Sequence, residues 1–241
     1  MKKIKLVLLG NINVILNKYR LINWKSELFK LSGDDIQVKE NLDNPSCSHG
    51  YYSQYMTDAE IKKIVNEPEE LTIVIVNFYL EDNFYIRKIY PNCAVLSIKN
   101  PLLILNETKI SIELFILKNI YEILTWSYEV TDLQSFNPGT LTHIETRRCL
   151  FDMNGDLSDI SQNTVSPKLC ESCISRLKSG TLPNKYIETI QKELKRIKRP
   201  FISTVEDKIK KNPLTSLLVT VLFTIVINII SNLAFNILVG A

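Results

Sequence analysis

The chain has 241 residues, 45% of them hydrophobic and 23% charged, with a formal net charge of +3. That length suits one domain with an appendage or two small domains, and the apolar fraction is enough to build a core. Isoleucine occurs 31 times and asparagine 21 times against 7 glycines and 4 alanines, which excludes collagen-like, glycine/serine-linker and disordered acidic classes. Residues 192–211 carry a local +5, residues 1–191 sum to −2, and everything from Asn212 onward is uncharged. Bulk charge therefore gives no sign of direct, sequence-specific nucleic-acid binding, and the basic excess is one short block.

In chain order, residues 5–9 form a short apolar run closed by Gly10 and predict a buried strand. Residues 12–29 have helical spacing that predicts a following helix. Cys47 and His49 fall in the turn-rich stretch 45–50 and read as a loop, because no other Cys or His lies near them in sequence. Residues 58–65 predict a short helix capped by Thr57 or Asp58. The β-branched run 71–78 predicts a strand buried on both faces, and 93–98 another strand. Residues 111–128 predict a long helix with Ile112, Phe115, Ile116, Asn119, Ile120, Ile123 and Leu124 near one buried face. A polar, turn-rich segment at 139–177 carries three of the five cysteines. Residues 183–198 predict an amphipathic helix with Tyr186, Ile187, Ile190, Leu194 and Ile197 on one side, and Pro200 and Pro213 punctuate the approach to the C-terminal apolar segment.

Residues 214–239 contain no charge and no proline, and roughly 20 apolar residues suffice to cross a hydrocarbon core of about 30 Å. The expectation is one C-terminal transmembrane helix acting as a tail anchor, since only Gly240 and Ala241 follow it. The basic block before it predicts a cytoplasmic N-terminal domain on a single-pass protein of the cell membrane, with Lys208, Lys210 and Lys211 drawn to anionic lipid headgroups. Within the span, positions 216, 220, 224, 228, 232 and 236 are all polar, which places Ser216, Thr220, Thr224, Asn228, Asn232 and Asn236 in one i, i+4 register. An inert anchor has no need of such a register; side-chain hydrogen bonds between neighbouring spans, and so a homo-oligomer in the active state, are expected.

The cysteine segment reads as a metal site. Cys170 and Cys173 form a CxxC, Cys149 lies 20 intervening residues earlier, and His143 precedes it by six. A CxxC turn offers two thiolates from one tight loop and the separate segment supplies the other two donors, so the pattern predicts a structural Cys3His zinc knuckle. Cys93 or Asp152 stands as a substitute for His143, and a reducing cytosol argues against disulfides. Asp152, Asn154, Asp156 and Ser158 alternate like the start of a calcium loop, but Leu157 and Asn163 stand where glycine and glutamate are required. Nor does the chain contain a GxGxxG, GxxxxGK[ST] or GxSxG motif. Glu145, two residues from His143, could in principle act on a metal-bound water.

The fold expected is an α/β cytosolic domain with a Cys3His-type zinc knuckle, followed by helices and one transmembrane helix. Its divisions are 1–138 for the α/β domain, 139–182 for the cysteine-bearing segment, 183–212 for basic amphipathic juxtamembrane helices, and 213–241 for the span.

The layout of residues 71–98, 117–126, 142–153 and 170–173 resembles that of archaemetzincin-like zinc proteins. In them a mixed α/β core carries a metal-binding helix, and later cysteine elements close a structural zinc site. The helix here reads Ile120-Tyr-Glu-Ile-Leu-Thr125, with Glu122 and no HExxH, so the resemblance carries over only a structural zinc on Cys149, Cys170, Cys173 and His143. The whole-chain design also resembles the membrane effector encoded beside a short prokaryotic Argonaute in Sulfolobus-type archaea. That resemblance implies an antiviral, abortive-infection protein without catalytic residues, which permeabilises or depolarises the membrane when a nucleic-acid-sensing partner, a short Argonaute with its accessory protein, activates it. Two alternatives remain open: a membrane-anchored ring-nucleotide sensor effector, and a membrane-tethered zinc hydrolase using His143 and Glu145. Whether Arg87, Lys88, Arg147 and Arg148 form a ligand pocket is also left open.

Overall fold

A computed structural model describes residues 1–10, 12, 15–31, 36–39, 55–137, 139, 141–199, 205–206 and 209–239. The contacts divide the chain into two compact units, Met1–Lys198 and Arg199–Ala241.

The first unit is built on strands that have no polar face to turn to water. Its five-stranded sheet has the order β4-β2-β6-β9-β8, with β2 Lys5–Leu9, β4 Ile36–Lys39, β6 Thr72–Val76, β8 Ile86–Tyr90 and β9 Cys93–Ser97. Every residue of β6 and β9 is buried, as expected when parallel strands are covered on both sides. The four strands β4, β2, β6 and β9 are parallel, and only the edge strand β8 runs antiparallel to its neighbour β9. Two short parallel pairs flank this sheet: β1 Lys2–Lys3 with β3 Phe29–Lys30, and β5 Tyr55–Met56 with β7 Tyr79–Leu80.

Alternation along the strands separates two cores. Leu6, Leu8, Ile73, Ile75, Ala94 and Leu96 face the larger one, while Val7, Leu9, Val74, Val76 and Val95 face the smaller. The smaller core is closed by α2 Asp58–Ile64. As the sequence indicates, Thr57 caps α2: its hydroxyl accepts from the Glu60 N–H at 3.3 Å, and the Glu60 carboxylate accepts from the Thr57 N–H at 2.8 Å.

Three expectations change in the folded chain. The helix read across 12–29 reduces to α1 Lys18–Ile22, because Leu28, Phe29 and Leu31 are drawn into the larger core and residues 29–30 pair with β1 instead. The long helix is present as α4 Ile112–Glu129, following α3 Lys99–Glu107, but it is buried on every side from Ile112 to Trp126 and not on one face. Its other faces are covered by residues 139–198, whose apolar side chains Leu150, Phe151, Ile160, Leu177, Ile190 and Ile197 belong to the same core. Ile160, Leu177 and Ile190 lie in α5 Asp159–Thr164, α6 Glu171–Lys178 and α7 Tyr186–Leu194, and Leu150, Phe151 and Ile197 in the segments before and after them.

The third change concerns α7, read from sequence as a juxtamembrane helix. It is a core element: Glu193, 2% exposed, accepts hydrogen bonds from the Tyr121 and Ser26 hydroxyls and the Glu27 N–H, each at 2.6 Å. Tyr186 and Thr125 share a hydrogen bond at 3.0 Å. The cysteine segment and α7 are therefore part of the first compact unit, which ends at Lys198.

In the second unit, α8 Pro213–Val239 is one continuous helix. Its first 20 residues, Pro213–Asn232, are long and apolar enough to cross a membrane, and none of them is buried in the structure.

Candidate metal centre

Three backbone devices bring four donors together. The His143 N–H donates to the Phe151 carbonyl at 3.1 Å and the Met153 N–H to the His143 carbonyl at 2.9 Å, which sets residues 143 and 152 side by side. Between them the chain folds back, with Arg148 in the left-handed region at φ 57°. The fold-back is held by Asp152, whose Oδ2 accepts the N–H of Arg147 at 2.8 Å and that of Cys149 at 2.9 Å. Cys149 then pairs beside Lys168: the Leu150 N–H reaches the Lys168 carbonyl at 2.7 Å, and the Lys168 N–H the Arg148 carbonyl at 2.9 Å. Two residues later Cys170 is the N-cap of α6, and Cys173 lies in its first turn, so helical winding returns both sulfurs to the same side.

The result is compact. His143 Nε2 lies 3.1 Å from both Cys170 Sγ and Cys173 Sγ, and Cys149 Sγ lies 3.9 Å from Cys173 Sγ. One ligand atom from each of His143, Cys149, Cys170 and Cys173 falls within 4.8 Å of the others. Zinc bonds of about 2.3 Å to sulfur and 2.0 Å to nitrogen give tetrahedral edges of about 3.8 Å and 3.5 Å. The sulfur–sulfur edge matches, and the two nitrogen–sulfur edges are about 0.4 Å tighter by the same arithmetic. These residues are positioned to hold a metal ion.

The structure selects His143 over its substitutes. Cys93 packs in the smaller core, whereas Cys149 and Cys173 pack in the larger one on the opposite side of the sheet. Burial pushes the Cys93 thiol up to about 12, so it stays protonated and inert. Asp152 is committed to the fold-back and positions the ligand loop.

The sulfurs already share charge. Hydrogen bonding from Cys173 and from the N–H groups of Phe151 and Cys170 holds Cys149 below the usual thiol range, against the opposing effect of burial. Cys173 is pushed up in return by its contact with the Cys149 sulfur and by burial. A divalent cation held by these residues would displace the protons still carried by the thiols, which couples metal binding to pH and to folding.

Behind the donors lies a polar group of side chains that the sequence does not single out. Lys118 and Glu122 of α4 form an ion pair at 2.8 Å with side-chain exposures of 1% and 5%. Burial raises Glu122 above its ordinary range, Lys118 opposes that shift, and the charges of Cys149 and Asp152 add to it. Asn154 donates to the Tyr85 hydroxyl at 2.8 Å, and Asn163 donates to Asn154. The i, i+4 spacing of Lys118 and Glu122 is visible in sequence, but nothing local shows that both are buried.

The remaining candidates are engaged separately. Arg87 grips both carboxylate oxygens of Asp58 at 2.8 Å and reaches Asp82 at 3.1 Å, tying β8 to α2. Lys88 donates to the Phe136 carbonyl. Arg147 pairs with Glu145 at 2.9 Å, and the Glu145 side chain is 78% exposed. Asn154 is bonded to Tyr85, and Asp156 caps the turn at Ser158, so neither is arranged as a calcium ligand. Lys210 and Lys211 are exposed. Lys208, Cys47 and His49 lie outside the described residues, and Asn236 is described only as part of the α8 backbone.

Comparison with family models, with curated proteins and with solved structures finds no match.

Proposed function

We propose that this chain is a membrane effector: a zinc-stabilised α/β unit at the cytoplasmic face, carried on one span, which permeabilises or depolarises the cell membrane when a partner activates it. The observation that carries the reading is α8, an exposed helix whose first 20 residues, Pro213–Asn232, are apolar enough to cross a membrane and which nevertheless keeps a polar side chain at every fourth position. A helix selected only to anchor would be free to replace these residues with leucine. The four-donor set at His143, Cys149, Cys170 and Cys173 supports a structural role for the ion, because catalytic zinc usually keeps one position open for water. Lys208, Lys210 and Lys211 would sit against anionic headgroups. The whole-chain layout favours a defence setting in which a short Argonaute and its accessory protein are the activator. Expression at matched levels, with membrane potential followed by a voltage-sensitive dye, tests this reading. Depolarisation by the full chain, lost on deletion of 213–241, is expected; an undisturbed potential with the activating partner present would refute it.

A specific observation favours a second reading, a small-ligand sensor of the ring-nucleotide type. Strand β2 continues to β4 on one side, and β6 to β9 on the other, so the order switches between β2 and β6. Open α/β sheets bind ligands outside the carboxyl ends of strands at such a point. There, Gly10 follows β2 with φ 82°, and Asn77 follows β6 with its buried Oδ1 unpartnered among the described residues. A thermal shift with cyclic dinucleotides and cyclic oligoadenylates, abolished by Asn77→Leu, would move the assignment to this reading.

A further inference from the structure

The polar register of α8 is made of two unlike halves. In the first half each hydroxyl is satisfied on its own helix: Ser216 Oγ donates to the Asn212 carbonyl at 3.0 Å, Thr220 Oγ1 to the Ser216 carbonyl at 2.9 Å, and Thr224 Oγ1 to the Thr220 carbonyl at 2.9 Å. This backward bond suits a short side chain, and it leaves the hydroxyls with no donor to offer a neighbour. The second half changes chemistry at the same spacing. Asn228 and Asn232 carry amides, both are exposed, and neither side-chain amide makes a hydrogen bond among the described residues.

Depth decides what the Asn228 amide requires. A 27-residue helix is about 40 Å long at 1.5 Å per residue, against a hydrocarbon core of about 30 Å. Slide the helix to either limit and Asn228 remains inside the core, at least about 6 Å from its edge by the same rise. In that medium no water satisfies two N–H donors and a carbonyl, so a protein partner must.

The chemistry of the partner is set by the amide itself. A carboxamide is both donor and acceptor, and copies of one chain inserted in one direction bring Asn228 to the same depth in each. Identical amides then bond each other, and Asn232, one turn on, repeats the arrangement about 6 Å away. A different partner would need its own polar group at that depth; a second copy has it by construction. We propose that α8 associates with other copies of this chain in parallel, through the carboxamides of Asn228 and Asn232, and that Ser216, Thr220 and Thr224 take no part in the contact. The proposal rests on the membrane reading above and names the partner in it.

The test uses the full chain, labelled at its N-terminus with donor and acceptor dyes and reconstituted in phosphatidylcholine/phosphatidylglycerol vesicles, with energy transfer followed as the protein-to-lipid ratio is diluted. The association constant is expected to fall about tenfold for Asn228→Leu, from a lost interhelical bond, and further for the double variant with Asn232→Leu. Asn228→Gln, which keeps an amide, should recover most of it. Thr220→Val with Thr224→Val should leave the dilution curve unchanged. Equal transfer for wild type and Asn228→Leu, or a loss as large in the threonine pair, would overturn the proposal and leave the span standing. Release of the wild-type chain by alkaline carbonate would instead overturn the membrane reading, and the proposal with it.

Discussion

The unit that carries the His/Cys cluster and the apolar helix handle polar groups differently. Around His143, Cys149, Cys170 and Cys173 the chain supplies most of the partners: Asp152 Oδ2 takes two N–H groups, Lys118 takes Glu122, and each donor atom has another within 4.8 Å, while Asp152 Oδ1 has none among the described residues. Along α8 it does so only as far as Thr224, and beyond that point the amides of Asn228 and Asn232 are exposed. A group that finds its partner in its own chain contributes to folding, whereas one that does not is left for a membrane or a second molecule. The first unit accordingly reads as a scaffold and the helix as the part that meets something else.

The comparison predicts its largest effect at the metal. Cys173→Ala or Cys149→Ala should lose the ion and lower the thermal midpoint by about 10 °C or more, since a bound structural metal is folding free energy. Metal analysis of the purified chain with a melt in chelator checks this; a metal-free wild type indifferent to chelator would remove the scaffold side of the contrast.

Lys118→Met should come next. It strands Glu122 in the core, at a cost of about 3–5 kcal/mol, and the double variant with Glu122→Leu should recover most of that. The pH dependence has a definite sign. Burial already holds the folded Glu122 carboxyl above its ordinary value, so the folded protein keeps a proton that the unfolded chain releases as pH rises. The Lys118→Met defect should therefore be smaller at pH 5 than at pH 8 in urea titrations; a pH-independent defect would mean that Glu122 is not the stranded group.

Asp152→Ala should weaken metal binding by about 10- to 100-fold in chelator competition, because it frees the N–H groups that hold the ligand loop. Asp152→Asn, which keeps one acceptor oxygen, should lose less. A metal affinity unchanged by Asp152→Ala would make the fold-back independent of that carboxylate.

The smallest expected effect is chemical. Cys93, fully buried with its thiol pushed up to about 12, should resist alkylation at pH 8 in the native protein and react only on unfolding. Native labelling of Cys93 would show that the sheet opens more readily than its packing implies.

Much of this was legible without coordinates because it depends on local pattern. The runs 5–9, 71–78 and 93–98 are strands within a residue or two of the expected ends, since an unbroken β-branched run has no polar face to expose. The four-residue cluster was legible because thiols and imidazole have few other reasons to share the spacing of His143, Cys149, Cys170 and Cys173. The uncharged helix needed only composition. Tertiary structure decided where one residue's surroundings come from distant chain: that α4 is enclosed on every side, that Lys118 and Glu122 are buried, and that α7 is pinned to the core through Glu193. It also decided that Cys93, a candidate substitute for His143 by sequence, lies across the sheet from the other sulfurs. Periodicity reports which faces of a helix are apolar, but whether a polar face meets water or another layer of the same protein is settled only when the later segments fold over it.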